Sequence, residues 1–318
     1  MKATQGTTYR SLYAQIERIS NRLQDLRTTT ATGKKLNKSS DDPSAVRPVL
    51  NTRTQIRATE RYLSTMGTAL DRMQILDGHM DHVENVLVRV KELAINSING
   101  TLDEQGLATL ADQVGQMKAE LLDTANARVD GKYIFAGFEE STRPFETNPS
   151  YDSELYDPAD PATWPVLYNG DENSTSLEIS PGEYVQVNLT GCALFGGDAD
   201  NDGEVDPDGV DIFAALTRVE EAMRANDMEG VGAELDTLDV CADQARRLRG
   251  KMGNNAQRVE TAMEHMEGIQ IDLQQTLSRY EDADLIEAIA SLTQQEQAFE
   301  AALNVTAKVS RLSILDFI

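Results

Sequence analysis

The chain is short of the residues that usually carry chemistry. Of its 318 residues two are cysteine, Cys192 and Cys241, three are histidine and one is tryptophan, Trp164. The two cysteines lie far apart, match no metal-ligand spacing and make no disulfide framework, so free thiols are expected. No Ser-His-Asp or Cys-His arrangement can be named, and no glycine loop that would cradle a phosphate is present. Paired carboxylates occur only because acids are abundant, and none is assignable as a general acid or base. The reading is therefore non-enzymatic, with no catalytic residue and no organic cofactor. Bases are also scarce, 29 Lys and Arg against 53 Asp and Glu, for a net charge of −24. That balance excludes nucleic acid as a main ligand, because phosphate binding depends on clustered cations that release counterions. Long apolar runs are missing too, and nothing approaches the roughly 18–20 residues of a membrane span. The polar start, Met1 to Tyr9, does not read as a cleavable secretory signal.

What the chain does have is unevenly placed. Residues 139–211 hold 18 acids against one base, Arg143, and so carry −17 of the total charge. The same window holds seven of the nine prolines and the single Trp. No proline lies between Val49 and Arg143 or after Pro207, as long helices require. The chain thus reads as helices, a different middle, then helices.

In the first flank Tyr9, Leu12, Ile16, Ile19, Leu23 and Leu26 step by three and four, an apolar seam of coiled-coil type. Asp42-Pro43 is a helix start, with Asp42 the cap and Pro43 at the first helical position. Leu63, Met66, Leu70, Met73, Leu76, Met80, Val83, Leu87 and Val90 continue the same steps to a stop at Asn99-Gly100. Thr101-Leu-Asp-Glu104 is expected to cap the next helix as a capping box. In the second flank helical spacing resumes near Asp211, turns at Asn226-Asp227, breaks at 281–284, and ends with Leu303, Val305, Val309, Leu312 and Leu315. In the middle, 131–137 looks like a strand, and Leu177, Ile179, Val185, Val187 and Leu189 alternate about Pro181-Gly182 as a hairpin.

The expected fold is α+β: a long antiparallel helical bundle or coiled-coil rod made from the N- and C-terminal segments, with a small inserted β-rich domain. The expected divisions are a terminal assembly helix at 1–32, one half of the rod at 42–137, the acidic β-rich insert at 138–210, the other half at 211–280, and a last assembly helix at 284–318. A narrow apolar stripe on terminal helices needs a partner, so Leu12, Ile16, Ile19, Leu23, Leu26, Leu303, Val305, Val309, Leu312 and Leu315 are the candidate assembly seam.

One local motif could hold a metal. Asp198, Asp200 and Asp202, a glycine at 203, then Glu204 and Asp206, give oxygen ligands at the spacing of a calcium loop. Position 12 of that loop is Gly209 where a bidentate Glu is usual, so the segment reads either as a calcium site or as a solvated acidic loop leading into the next helix. Calcium is the one cofactor the sequence admits. His79 and His82 lack a third ligand and read as structural. Arg246, Arg247, Arg249 and Lys251 read as a helical face that pairs with acids.

Several stretches resemble a known family. Residues 31–46, ATGKKLNKSSDDPSAV, look like the loop between the first two helices of the bacterial flagellin superfamily, and 92–102, ELAINSINGTL, look like its second signature. ANARVDGKYIFAG (125–137), followed by Arg143-Pro-Phe145, and the terminal LSILDFI (312–318) resemble the hook-filament junction branch, the hook-associated protein 3 family, rather than the filament subunit. The resemblance covers about 1–145 and 210–318. It implies a structural subunit exported through the flagellar type III apparatus without a cleavable signal and placed outside the cell at the hook-filament junction. The partners it implies are hook-associated protein 1, flagellin, copies of itself, the export apparatus and an export chaperone. The alternatives are a flagellin filament subunit and a calcium-dependent extracellular binding module.

Overall fold

The computed structural model describes residues 2–100, 103–157, 160–199, 206 and 209–315, with side chains at 7 and between 9 and 308. Among these residues six α-helices are formed: α1 (Lys2–Thr32), α2 (Pro43–Asn99), α3 (Glu104–Ala125), α4 (Ile212–Arg224), α5 (Met228–Glu281) and α6 (Leu285–Leu315). Between α3 and α4 lie three antiparallel two-stranded ladders: β1 (Arg128–Val129) with β2 (Lys132–Tyr133), β3 (Phe145–Thr147) with β4 (Val166–Tyr168), and β5 (Ser176–Ser180) with β6 (Glu183–Gln186). None of the helices among the described residues is long and apolar enough to cross a membrane.

Aspartates start five of the helices, because a carboxylate just before the first turn can accept its free amides; before α5 it is Asp227, whose Oδ1 accepts from Gly230 N at 3.0 Å. Asp42 Oδ1 accepts from the amides of Ser44 at 3.0 Å and Ala45 at 3.2 Å and from the Ser44 hydroxyl at 2.6 Å, and these bonds lower its pKa. Asp211 accepts from Ala214 N at 3.1 Å, and Asp284 from Ile286 N at 2.9 Å. For α3 the cap is Asp103, whose Oδ1 accepts from Gly106 N at 2.9 Å. The expected capping box led by Thr101 is thus corrected: the nearer carboxylate takes the amide, and Thr101 lies outside the described residues.

Of the stretch 131–137, expected to be one strand, only Lys132–Tyr133 is paired, as the second strand of a tight hairpin, and 134–137 bend and turn. Asp130 at φ 52° and Gly131 at φ 81° are both left-handed, the pairing that a two-residue hairpin turn needs. The hairpin about Pro181-Gly182 forms, with Leu177 opposite Val185 and Glu178 opposite Tyr184. The ladders are short, and most of 138–210 is irregular backbone around them.

Contacts divide the chain into two compact units, Met1–Arg61 with Glu267–Ile318, and Tyr62–Met266. The segment 138–210, expected as a domain of its own, falls inside the second unit, and the boundaries cut through α2 and α5. The reason is aromatic packing. Phe195 meets Phe135 at 5.6 Å, Phe145 at 5.2 Å and Phe213 at 5.3 Å between ring centroids, so the middle segment, the α3–β3 connection and α4 share one core. Met66, Met80, Leu87 and Leu121 are fully buried in the same unit, on the helical spacing read from the sequence.

Candidate assembly surface

In the first unit α1 and α6 lie antiparallel. Arg27 meets Glu296 at 3.1 Å, Lys34 forms a β-bridge with Asp282, and Ala283 N donates to Gly33 O at 2.9 Å. The stripe on α1 is the inner face: Leu23 is buried, and Tyr9, Leu12, Ile16, Ile19 and Leu26 are half-buried. On α6 the covered positions include Ala288, Leu292, Gln295, Phe299, Ala302 and Thr306, again three or four apart, with Ser291 and Glu296 beside them. Leu303 and Val305 therefore do not join that seam. They are 46% and 50% exposed and, at about 100° per residue, flank the covered stripe on its two sides. The side chains of Val309, Leu312 and Leu315 lie outside the described residues. Ile286, 84% exposed, and Ile289, 51% exposed, add to the uncovered apolar surface of α6.

One group at the end of this pair, met in the sequence only as part of the break at 281–284, is held by distant residues. The Glu281 side chain is 2% exposed, its Oε2 is 2.8 Å from Lys34 Nζ, and its Oε1 forms an ion pair with the Arg53 guanidinium. Its backbone carbonyl accepts from Lys35 N at 2.7 Å and Leu36 N at 3.4 Å, while Lys35 Nζ donates to Arg279 O at 2.7 Å. Gly33, at φ 71°, makes the left-handed turn that brings this loop round. A signal was available: an acid in the last turn of a helix opposes the helix dipole and is out of place unless a cation holds it.

The other candidates fall elsewhere, in the second unit. Of the calcium-like set, Asp200, Asp202 and Glu204 lie outside the described residues. Asp198 and Asp206 are engaged by the chain's own donors: Cys192 Sγ lies 3.6 Å from Asp198 Oδ2, and Ala199 N donates to Asp206 Oδ2 at 2.8 Å. His82 pairs with Glu120 at 3.1 Å, and His79 packs edge-on against Phe135. Arg246 bonds Glu84 at 2.7 Å, and Arg249 bonds Asp77 at 2.8 Å and Asp81 at 2.6 Å, which joins α5 to α2. Cys192 and Cys241 are free thiols, and burial pushes both up to about 12.

A buried acid stands at the start of α4. Asp211 spends one oxygen on the helix cap, and its Oδ2 has no hydrogen-bond partner among the described residues. Burial pushes its pKa up to about 7, against the cap amides and the nearby Arg218, which lower it. Arg218 is itself held by Glu234, at 2.8 and 3.2 Å, and its guanidinium lies over the Tyr156 ring at 5.3 Å.

Comparison with known proteins completes this picture. A model of the bacterial flagellin N-terminal helical region matches residues 6–140, and one of the C-terminal helical region matches 235–318, together more than half of the chain. The chain belongs to the bacterial flagellin family. Within that family it is 22% identical over 300 residues to flagellar hook-associated protein 3 of Salmonella typhimurium, covering 89% of each chain. A flagellin of Halalkalibacterium halodurans is 22% identical over 279 residues, with 86% of this chain and 84% of that protein covered. The crystal structure of the flagellar junction protein FlgL from Legionella pneumophila superposes with a TM-score of 0.58 at 16% identity, over 74% of this chain and 100% of that one, and so shares the fold. The two matched helical regions are the ones that supply α1 and α6, so the antiparallel pair is built from the family's defining segments.

Proposed function

We propose that this flagellin-family chain is a structural subunit of the bacterial flagellum that self-assembles as the adapter between the hook-associated layer and the flagellin filament. The observation that carries the reading is the α1–α6 pair, which covers the α1 stripe yet leaves Ile286, Ile289, Leu303 and Val305 exposed on α6. Such residues on a terminal helix pair find cover in an assembly, where neighbouring copies bury them. The similarity to a hook-associated protein 3, over 89% of each chain, supports the junction as the place. On this reading the partners are hook-associated protein 1 on one side, flagellin on the other, copies of itself around the ring, and an export apparatus and chaperone before that. The location is outside the cell. The filament-subunit reading, favoured by the similarity to a flagellin at the same identity, is separated by the same test.

The test is deletion of the gene, with imaging of the hooks and assay of flagellin in the medium. Bare hooks, with flagellin lost to the medium, are expected. A filament-subunit role would instead remove flagellin itself from both places, and normal filaments would overturn both readings.

A further inference from the structure

Resting on that reading, we propose that Glu281 is the positioning residue of assembly: it fixes the direction in which the α1–α6 pair leaves the adjoining ends of α2 and α5. The contacts involved all lie within the first unit. The pair is held to itself along its length by the apolar stripe, which says nothing about how it is set against α2 and α5. That setting depends on two connections, 33–42 and 282–284, and the backbone bonds between them gather at one point. Lys35 and Leu36 donate to the Glu281 carbonyl, and Ala283 donates to Gly33. At that point the Glu281 carboxylate ties two other elements, Lys34 of the connection after α1 and Arg53 of α2.

The carboxylate is buried, and both cations are close to half exposed, at 43% and 45%. A charge removed from water in this way is held by its partners and locks one geometry, because leaving either partner would strand it. The cations lose little when released, since each can return to solvent. The triad therefore stabilises one orientation of the terminal pair while contributing nothing to the helices themselves. In a ring of copies a changed angle at each subunit would prevent the neighbouring pairs from meeting.

The test uses the full chain with nitroxide labels on Ser20→Cys in α1 and Asn51→Cys in α2, both exposed positions, and pulsed dipolar distance measurement. The wild-type background is expected to give one narrow distance distribution. Glu281→Ala is expected to broaden it while the far-ultraviolet circular dichroism stays unchanged. In the deletion strain the same substitution is expected to cut incorporation by roughly tenfold or more, the scale of a lost buried pairing. An unchanged distribution overturns the proposal, and so does a broadened one with normal incorporation. Should Glu281→Ala lose its helix signal, Glu281→Gln, which keeps the shape and loses the charge, is read in the same way. Leu23→Asp, which breaks the stripe itself, serves as the control for the functional reading. If that variant also supports normal filaments, the junction role fails, whereas the distance distributions of the purified chain judge Glu281 independently.

Discussion

The side chain of Gln244 and the backbone of Val210 bond in both directions. Oε1 accepts from Val210 N at 2.9 Å, and Nε2 donates to Val210 O at 3.1 Å and to Leu194 O at 2.8 Å. Gln244 is buried on α5, so it stitches the segment before α4 and the π-helical turn at 192–196 to that helix. Gln244→Ala leaves one amide and two carbonyls without this partner, and each unmet buried group costs about 1–3 kcal/mol. The expected result is a fall of about 2–4 kcal/mol in urea unfolding, seen as a lower midpoint with the slope unchanged.

The pH dependence near neutrality is set by Asp211. Its folded pKa, about 7, lies above the unfolded value of 3.8, so between those values the folded chain holds a proton that the unfolded chain has lost. Stability from this group therefore falls as pH rises from about 4 to about 7, by about 1.4 kcal/mol per unit at most. His79 acts in the opposite sense: burial lowers its pKa below 6.5, and its contribution rises with pH through that range. The difference between wild type and Asp211→Asn isolates the first effect. The Asn variant should be the more stable at pH 8 and lose the advantage by pH 4, measured by thermal melting across the range. A difference that does not change with pH would show that Asp211 does not titrate there.

Gly191 is held by its neighbours, not by its backbone angles. A methyl group there would lie 2.5 Å from the Phe145 ring and 2.9 Å from the Phe135 carbonyl oxygen, both inside the aromatic core. Gly191→Ala should cost about 1–3 kcal/mol by overpacking. Its near-ultraviolet circular dichroism should change while the helix signal is kept.

Ile286 and Ile289 are exposed and should be silent in the isolated chain. Their replacement by Ser is expected to leave the melting curve within about 0.5 kcal/mol of wild type. In the deletion strain the same double variant should fail to restore filaments. Full restoration would remove the outer face of α6 from the assembly surface.

Both thiols should resist reaction in the native chain, because burial pushes each up to about 12 and the thiolate is the reactive form. A thiol reagent at pH 7.5 should label neither within minutes, and both in urea. Rapid labelling of Cys192 before Cys241 would show local opening at the π-helical turn.

The helices and the α1 stripe were legible because period and caps are local properties. Tyr9 to Leu26 turned inward as spaced, and Asp42, Asp211 and the turn at 226–227 stand where the residues put them. Glu281 was read only as part of a break, since its partners Lys34 and Arg53 are more than 200 positions away and no local pattern joins them. The same distance hid the division into units. Proline and acid content marked 138–210 as different, yet Phe145, Phe195 and Phe213 pack together irrespective of the composition around them. Leu303 and Val305 stand outside the α1–α6 contact because a helix rich in apolar residues offers more than one stripe, and only the partner decides which is covered.

The pairing of α1 with α6 also sets a timetable. α1 leaves the ribosome some 250 residues before α6, at roughly 5–20 residues per second. For tens of seconds Leu12, Ile16, Ile19 and Leu23 have no companion in their own chain, and a lone helix of about thirty residues gains little stability without packing. The second unit can close during that interval, since its pieces all lie between Tyr62 and Met266. The first cannot, and a chain halted before α6 presents its earliest helix uncovered to whatever protein meets it.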